Sequence, residues 1–124
     1  CAFYKLKDDG GFEARTAFHQ HEGSSVRPNQ KGPHAHCGAF DATGNYALVC
    51  DLGADKVFVY KVDRATGAAT PAGAATMPPG CGPRHIHLLP SNDVAFVNGE
   101  MDMTANVVKL DFAAGKFDVV QSVS

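Results

Sequence analysis

Two short stretches of the sequence bring together side chains that can move protons and hold anions. GPHAHCGAF (32–40) carries His34 and His36, and GPRHIHLLP (82–90) carries Arg84 directly before another His-x-His pair. An imidazole can donate or accept a proton near neutral pH. A guanidinium fork matches the geometry of carboxylate and phosphate groups. These residue types favour acid–base chemistry on an anionic ligand.

A metal site is a second interpretation of the histidines. The chain contains three His-x-His pairs, which are His19/His21, His34/His36 and His85/His87. On a strand, such a pair places both imidazoles on one face, where they can chelate zinc or copper. No carboxylate or thiolate follows at a familiar third-ligand spacing, so we predict neither a metal nor another cofactor. We expect His19 and His21 to be ordinary strand or loop histidines.

An internal repeat relates the two stretches to each other. After a shift of 48 residues the coinciding pairs include Ala47/Ala95, Val49/Val97, Val59/Val107, Lys61/Lys109 and Gly67/Gly115. Each repeat unit reads as four short antiparallel strands in about 45 to 50 residues, which is the size of one β-propeller blade. In a propeller, the first strand of each blade lines a central channel, and the loops that leave its end commonly carry the chemistry.

The repeat predicts which residues share the channel. The 48-residue shift superposes His36 on Arg84, whereas aligning the Gly-Pro pairs superposes His34 on Arg84. Because strand side chains alternate with a period of two, both alignments place these three residues on one side of the strand. The repeat places Glu100, at the end of the stretch AFVNGE, beside them. A carboxylate there is a candidate acid or base.

Strand patterns dominate the chain, and no stretch shows helical periodicity. Runs rich in β-branched and aromatic residues predict strands at 46–52, 56–63, 94–100, 106–112 and 116–123, with an opening hairpin at 2–7 and 12–20. The Ala-, Gly- and Pro-rich segment 65–83 is predicted to be a turn, a short edge strand and a loop. Asp51-Leu52-Gly53-Ala54-Asp55 is predicted to be a hairpin turn that uses Asp and Gly for backbone geometry. The predicted fold class is therefore all-β.

The predicted organisation is about two and a half blades. Residues 1–31 form the end of one blade and a linker, 32–79 a second blade, and 80–124 a third. A blade cannot bury both faces alone, and closed propellers have about four to eight blades. We expect the remaining blades to come from a parent chain or from other copies. The opening CAFYKLKDDG, which has no initiator Met and no signal-peptide pattern, also suggests a fragment.

Composition excludes several classes of partner. The net charge of −2 gives no general attraction to nucleic acid or to anionic membranes, and no apolar run approaches a membrane span. An anionic ligand must therefore be held by local Arg and His. The four cysteines, Cys1, Cys37, Cys50 and Cys81, fit no zinc ribbon or C-x-x-C motif. They predict reduced thiols and a cytoplasmic location.

Four stretches carry a resemblance to a known family. In order, they are GSSVRPNQKGPHAH, GNYALVCDLGADKVFVYKVD, PPGCGPRHIHLLP and AFVNGE, and the resemblance extends from position 23 to about position 111. They resemble the β-propeller lactonases, which include the propeller-type 6-phosphogluconolactonases of the pentose phosphate pathway and the fungal carboxymuconate cycloisomerases. The resemblance implies a segment of a seven-bladed propeller. The family more often has a small Ser-like residue where Cys81 stands and an aromatic residue near Leu88.

The resemblance also implies a site. The site proposed for the cycloisomerase branch contains a His, an Arg, a Glu and a further Arg in the channel. The first three match His36, Arg84 and Glu100, and the further Arg would lie beyond residue 124. The predicted catalytic residues are His36, Arg84 and Glu100, and the predicted substrate-binding residues are His34, His85 and Asn98.

The predicted function is the first of three that we consider, and the other two are alternatives. In the first, a lactone hydrolase acts on an anionic sugar lactone, with Glu100 as general base toward water. His36 donates a proton to the ring oxygen or polarises the carbonyl, and Arg84 holds the oxyanion or an anionic substituent. In the second, a ring-opening or ring-closing lyase uses the same residues on a muconate-type substrate. In the third, a non-catalytic propeller binds partners through its top face.

Overall fold

A computed structural model describes residues 1–124, and it contains ten β-strands and no helix. The strands are β1 (Ala2–Leu6), β2 (Phe12–Phe18), β3 (Ala35–Phe40), β4 (Tyr46–Asp51), β5 (Lys56–Val62), β6 (Ala69–Thr76), β7 (Pro83–Leu88), β8 (Val94–Gly99), β9 (Thr104–Asp111) and β10 (Lys116–Val123). The all-β prediction is confirmed. The chain has no helix of the length and apolar character needed to cross a membrane.

The strands form three antiparallel sheets in chain order. One sheet is the hairpin β1–β2, the next is the meander β3-β4-β5-β6, and the last is the meander β7-β8-β9-β10. Each four-stranded meander has the connectivity of a propeller blade, as the repeat predicts. We call β3–β6 the second blade and β7–β10 the third blade.

The two complete blades pack face to face over one apolar core. Twelve buried side chains from both blades form this cluster, namely Leu48, Cys50, Val57, Val59, Ala75, Met77, Cys81, Ala95, Val97, Val108, Leu110 and Phe117. Within β4 the pattern alternates. Leu48 and Cys50 face the third blade, and Val49 faces the hairpin β1–β2. A strand buried on both faces reads as a continuous apolar run, as YALVC does at the start of β4.

One predicted element is larger than expected. The edge strand within 65–83 is β6, which has eight residues and pairs with β5 from Lys56 to Val62. Its two strand-breaking residues are accommodated locally. Pro71 lies on the edge strand, where the missing N–H is tolerated, and Gly73, at a φ of 137°, lies at a shift in register. The prediction of a short strand was therefore wrong, because these residues bend the strand without ending it.

Candidate functional site

The inner strand of each complete blade contains a β-bulge at the predicted site. In β3, Ala35 pairs with Asp51 and Cys37 with Cys50, so His36 is an extra residue in the strand. In β7, Pro83 pairs with Gly99 and Ile86 with Val97, so Arg84 and His85 together face Asn98. A bulge redirects side chains away from simple alternation, and bulges are common beside active sites. The two bulges coincide at the 48-residue shift, so the structure selects the alignment of His36 with Arg84.

The bulges bring three of the predicted residues into contact. The Arg84 Nε–H donates a hydrogen bond to His36 Nε2 at 3.0 Å, and Arg84 Nε lies 3.4 Å from Glu100 Oε2. Because the guanidinium can only donate, Nε2 of His36 is the acceptor and the proton of the neutral ring lies on Nδ1. The cation therefore lies between an imidazole and a carboxylate. We call His36, Arg84 and Glu100 the channel triad.

The channel triad is open to solvent. The Arg84 side chain is 43% exposed and the Glu100 side chain 45% exposed. Exposed ion pairs of this kind contribute roughly 0–1 kcal/mol to stability. Neither the Nη1 nor the Nη2 group of Arg84 donates a hydrogen bond to the protein. Two guanidinium amino groups are therefore available to an anionic ligand.

His85 and Asn98 border the triad. The His85 backbone N–H donates to Asn98 Oδ1 at 2.7 Å, which closes the bulge in β7. The His85 ring meets the His36 ring edge-on, with centroids 5.3 Å apart and an interplanar angle of 88°. Two of the three predicted substrate-binding residues, His85 and Asn98, are thus exposed and adjacent to the triad.

His34 lies apart from the triad. It precedes β3, its backbone N–H donates to Asp51 Oδ1 at 2.8 Å, and its ring carbon Cδ2 lies close to Gly53. The expectation that His34, His36 and Arg84 share one side rested on strict alternation. The extra residue at His36 breaks that alternation, so only His36 and Arg84 meet.

An apolar cavity lies elsewhere. It has a volume of about 550 Å³, lies between the hairpin β1–β2 and strands β3 and β4, and is lined mostly by apolar side chains. Of the triad, only His36 reaches its lining. An anionic ligand needs local cations, so the triad is the better candidate site.

Two buried carboxylates flank the turn between β4 and β5, at positions that the sequence predicts to be ordinary turn residues. Asp51 is 0% exposed and Asp55 is 4% exposed. Asp51 Oδ1 accepts hydrogen bonds from the backbone N–H groups of His34, Gly53 and Ala54. The sequence signal for these two roles was a pair of acidic residues around one glycine. Carboxylates are rarely buried without bonded partners, so such a pair, if buried, must accept hydrogen bonds from its surroundings.

The first His-x-His pair serves the framework between the hairpin and the second blade. The buried His21 Nδ1 lies 2.6 Å from Asp51 Oδ2, and its Nε2 lies 3.7 Å from Cys1 Sγ. His19 stacks on Tyr60, with Nε2 2.8 Å from the Ala69 carbonyl oxygen. No group of three or more His, Cys, Asp or Glu side chains is arranged to hold a metal ion.

Two thiols lie in the core close to the site, and all four cysteines are free. Burial raises the pKa of Cys50 to about 12, with smaller contributions from Cys37, Cys81 and Asp51. Burial and the neighbouring Asp102 raise the pKa of Cys81 to about 11. Because the thiolate is the nucleophilic form, these two cysteines are held in their unreactive form at neutral pH.

Similar proteins share this architecture. The 6-phosphogluconolactonase of Bacillus subtilis (strain 168) is 31% identical over 121 residues, which cover 98% of this chain and 34% of that protein. The chain thus spans about a third of the length of this curated relative.

Two solved structures agree with this result. A protein from Lactobacillus plantarum superposes with a TM-score of 0.89 at 34% identity, covering 99% of this chain and 35% of that one. The periplasmic gluconolactonase PpgL of Pseudomonas aeruginosa superposes with a TM-score of 0.84 at 28% identity, covering 98% of this chain and 34% of that one.

The family is settled by a match along the whole chain. The family model described as a lactonase with a seven-bladed β-propeller matches residues 1–124. The three sheets are consecutive parts of such a propeller, as the sequence predicts. The chain belongs to the lactonase family of seven-bladed β-propellers.

Proposed function

We propose that the complete protein is a lactone hydrolase of the 6-phosphogluconolactonase type, which converts an anionic sugar lactone to the sugar acid. The observation that carries the proposal is the position of Arg84, which contacts both His36 and Glu100 in an exposed site. A carboxylate, an imidazole and a cation can supply the general base, the proton donor and the oxyanion stabiliser of ester hydrolysis. The names of the similar proteins point to the same reaction.

The proposed reaction begins with attack by water on the lactone carbonyl carbon. Glu100 accepts a proton from that water as the new C–O bond forms. The carbonyl oxygen becomes an oxyanion, and an N–H group of Arg84 holds it by a charge-assisted hydrogen bond. This step uses the Nη groups, which have no protein acceptor in the structure.

The second step opens the ring. The tetrahedral intermediate collapses, the bond between the acyl carbon and the ring oxygen breaks, and the ring oxygen takes a proton. The donor is His36 Nδ1–H, because Nε2 already accepts a hydrogen bond from Arg84. As the ring oxygen takes the Nδ1 proton, Glu100 passes its own proton through solvent to His36, so the imidazole stays neutral, and the carboxylic acid that forms releases its O–H proton to solvent. The products are a hydroxyl group and a carboxylate, and the sequence of steps invokes no cofactor.

We propose that His85 and Asn98 contact the sugar beside the triad, and that His34, which is exposed but outside the triad, contacts a more distant part of the substrate. We also propose a cytoplasmic location, with which the four free cysteines are consistent. The remaining blades of the propeller complete the channel around the triad.

The test is lactone hydrolysis by the purified full-length protein, measured above the spontaneous rate. Glu100→Gln removes the proposed base, and Glu13→Gln, an exposed carboxylate on β2, is the matched control. We expect kcat to fall by about 10²- to 10⁴-fold in Glu100→Gln and to stay unchanged in Glu13→Gln. Equal rates in both variants would remove the role assigned to Glu100.

A substrate panel separates the alternatives. Activity on carboxymuconate without lactone hydrolysis would replace the hydrolase with a cycloisomerase that uses the same triad. A folded full-length protein that is inert toward every sugar lactone and muconate would favour a non-catalytic binding propeller.

A further inference from the structure

The turn that connects β4 to β5 holds the strand that follows the second blade. Asp55 is the last residue of this turn, is 4% exposed and has a left-handed φ of 50°. Its Oδ2 accepts the Gly80 N–H at 2.6 Å, and its Oδ1 accepts the Gly82 N–H at 2.7 Å. Gly80 and Gly82 lie in the loop that leads into β7. One carboxylate therefore fixes the entry to the next blade.

Asp55 has no cationic partner. Its remaining hydrogen bond comes from Gln30 Nε2 at 2.8 Å, and no Lys, Arg or His forms an ion pair with it. A buried carboxylate without a counter-charge is retained at a high desolvation cost unless N–H donors surround it. Three short charge-assisted bonds meet that requirement. The loop is thus arranged around the side chain, as a backbone nest is arranged around an anion.

The loop held by Asp55 contacts the backbone of both charged members of the channel triad, because it leads into Arg84 in β7 and bonds to Glu100 in the 99–103 turn. Gly82 is followed by the fully buried Pro83 and then by Arg84. The Gly82 carbonyl accepts the Glu100 N–H at 3.0 Å, so the backbone at Glu100 rests on the same residue. The chain of contacts runs from Asp55 to Gly82 and from Gly82 to both Arg84 and Glu100. Neither charged side chain touches Asp55 itself.

We propose that Asp55 is a positioning residue for the reaction, which acts through the 80–82 loop to set the distance between the Arg84 guanidinium and the Glu100 carboxylate. This inference rests on the proposed function for its kinetic consequence. Shifts of about 1 Å in a catalytic group can lower the rate by about 10²-fold. We expect that losing the Asp55 oxygen that accepts the Gly80 or Gly82 N–H lowers kcat by roughly tenfold to 10²-fold.

The test variant is Asp55→Asn. Asparagine tolerates the left-handed φ as aspartate does, so the turn keeps its backbone conformation. Its amide places an N–H₂ group where one carboxylate oxygen stood, opposite a loop N–H or the Gln30 donor. At least one of the three bonds is lost, and the side-chain volume is unchanged.

The matched control is Asp41→Asn. Asp41 is 5% exposed and lies in the turn between β3 and β4, at the opposite end of the sheet from Asp55. It accepts four hydrogen bonds, from Thr43 N–H, Thr43 O–H, Tyr46 N–H and Asn92 Nδ2. Both variants should lose similar stability, and only Asp55→Asn should lower kcat.

A double-mutant cycle with Arg84→Ala, in the full-length protein, separates positioning from general destabilisation. If Asp55 acts through Arg84, the double variant Asp55→Asn/Arg84→Ala has nearly the rate of Arg84→Ala alone. A full additional tenfold loss in the double variant, or equal kcat in Asp55→Asn and Asp41→Asn, would overturn the proposal. Should Asp55→Asn not fold, Gly80→Ala strains the same loop at a φ of 82° and is expected to behave in the same way.

Backbone hydrogen exchange gives a readout that needs no activity. We expect faster exchange in the peptide that contains Gly80 and Gly82 for Asp55→Asn, and no change there for Asp41→Asn. Unchanged exchange would overturn the positioning role even if the enzyme is active. An inactive wild-type protein with faster exchange in Asp55→Asn would remove the proposed hydrolase and leave Asp55 as the residue that holds this loop.

Discussion

The turn at 51–55 and the turn at 99–103 occupy the same place in consecutive blades, but one buries its carboxylates and the other exposes one. Their last residues, Asp55 and Met103, both have left-handed φ angles, 50° and 56°. The Leu52 N–H donates to the His34 carbonyl in one, and the Glu100 N–H donates to the Gly82 carbonyl in the other. The two turns thus share a backbone, and their differences lie in the side chains.

The two turns differ in which of their side chains are buried and which are exposed. The first turn buries Asp51 and Asp55. The second has Gly99 and the 83%-exposed Met103 at the corresponding positions. Glu100, in place of Leu52, reaches Arg84. We infer that the fully bonded polar groups of the first turn supply a fixed frame. The equivalent turn of the next blade is then free to carry Glu100, the proposed general base.

The largest expected effect comes from exchanging the corresponding residues of the two turns. Glu100→Leu should lower lactone hydrolysis by about 10²- to 10⁴-fold because it removes the proposed base. The thermal midpoint should hardly change, since the ion pair that is lost is exposed. The reciprocal variant, Leu52→Glu, should not raise the rate of the wild-type protein, and it should not restore the rate when combined with Glu100→Leu. Steady-state kinetics and thermal unfolding of the full-length variants check both expectations.

An intermediate effect is expected from the buried carboxylate of the first turn. Asp51→Asn should lower the free energy of unfolding by roughly 1–3 kcal/mol, because at least one buried donor is left unsatisfied. The control is Asp102→Asn in the second turn, where the side chain is only half-buried and its partner is Thr104 alone. Urea denaturation should show a smaller loss for Asp102→Asn, and an equal loss would remove the contrast between the turns.

The smallest effect concerns pH. Gly99 lies against the buried Cys81 thiol. Burial, together with the neighbouring Asp102, raises the pKa of this thiol from 9.0 to about 11. A raised pKa means that the unfolded chain loses this proton first. The stability that depends on the neutral thiol is complete below pH 9 and is lost as the pH rises toward 11.

Thermal unfolding over that pH range checks this expectation. The thermal midpoint should fall as the pH rises, and part of the fall should be absent in Cys81→Ala. Cys50→Ala is the comparison from the second blade, where the loss also begins near pH 9 but continues until the pH reaches the folded pKa of about 12. An identical pH dependence in wild type and Cys81→Ala would show that the thiol does not support the second turn.

Much of the fold and the centre of the site follow from local sequence patterns. Runs of β-branched and aromatic residues predicted the strands, and the 48-residue repeat predicted the blades and the meeting of His36, Arg84 and Glu100. The bulges were not predictable, because one extra residue in a strand leaves no periodic trace, and His34 was misplaced for that reason. The roles of Asp51 and Asp55 depend on N–H donors distant in sequence, such as His34 for Asp51 and Gly80 for Asp55. No local pattern reports such partners.

The most direct test of the central claim is the rate of lactone hydrolysis by full-length Arg84→Ala relative to Arg64→Ala. Arg64 is an exposed arginine after β5 that donates only to the Thr43 carbonyl, far from the triad. We predict that kcat/KM falls by about 10²- to 10³-fold in Arg84→Ala, as for loss of an oxyanion donor, and is unchanged in Arg64→Ala. An Arg84→Ala protein that hydrolyses the lactone as fast as Arg64→Ala would contradict the account.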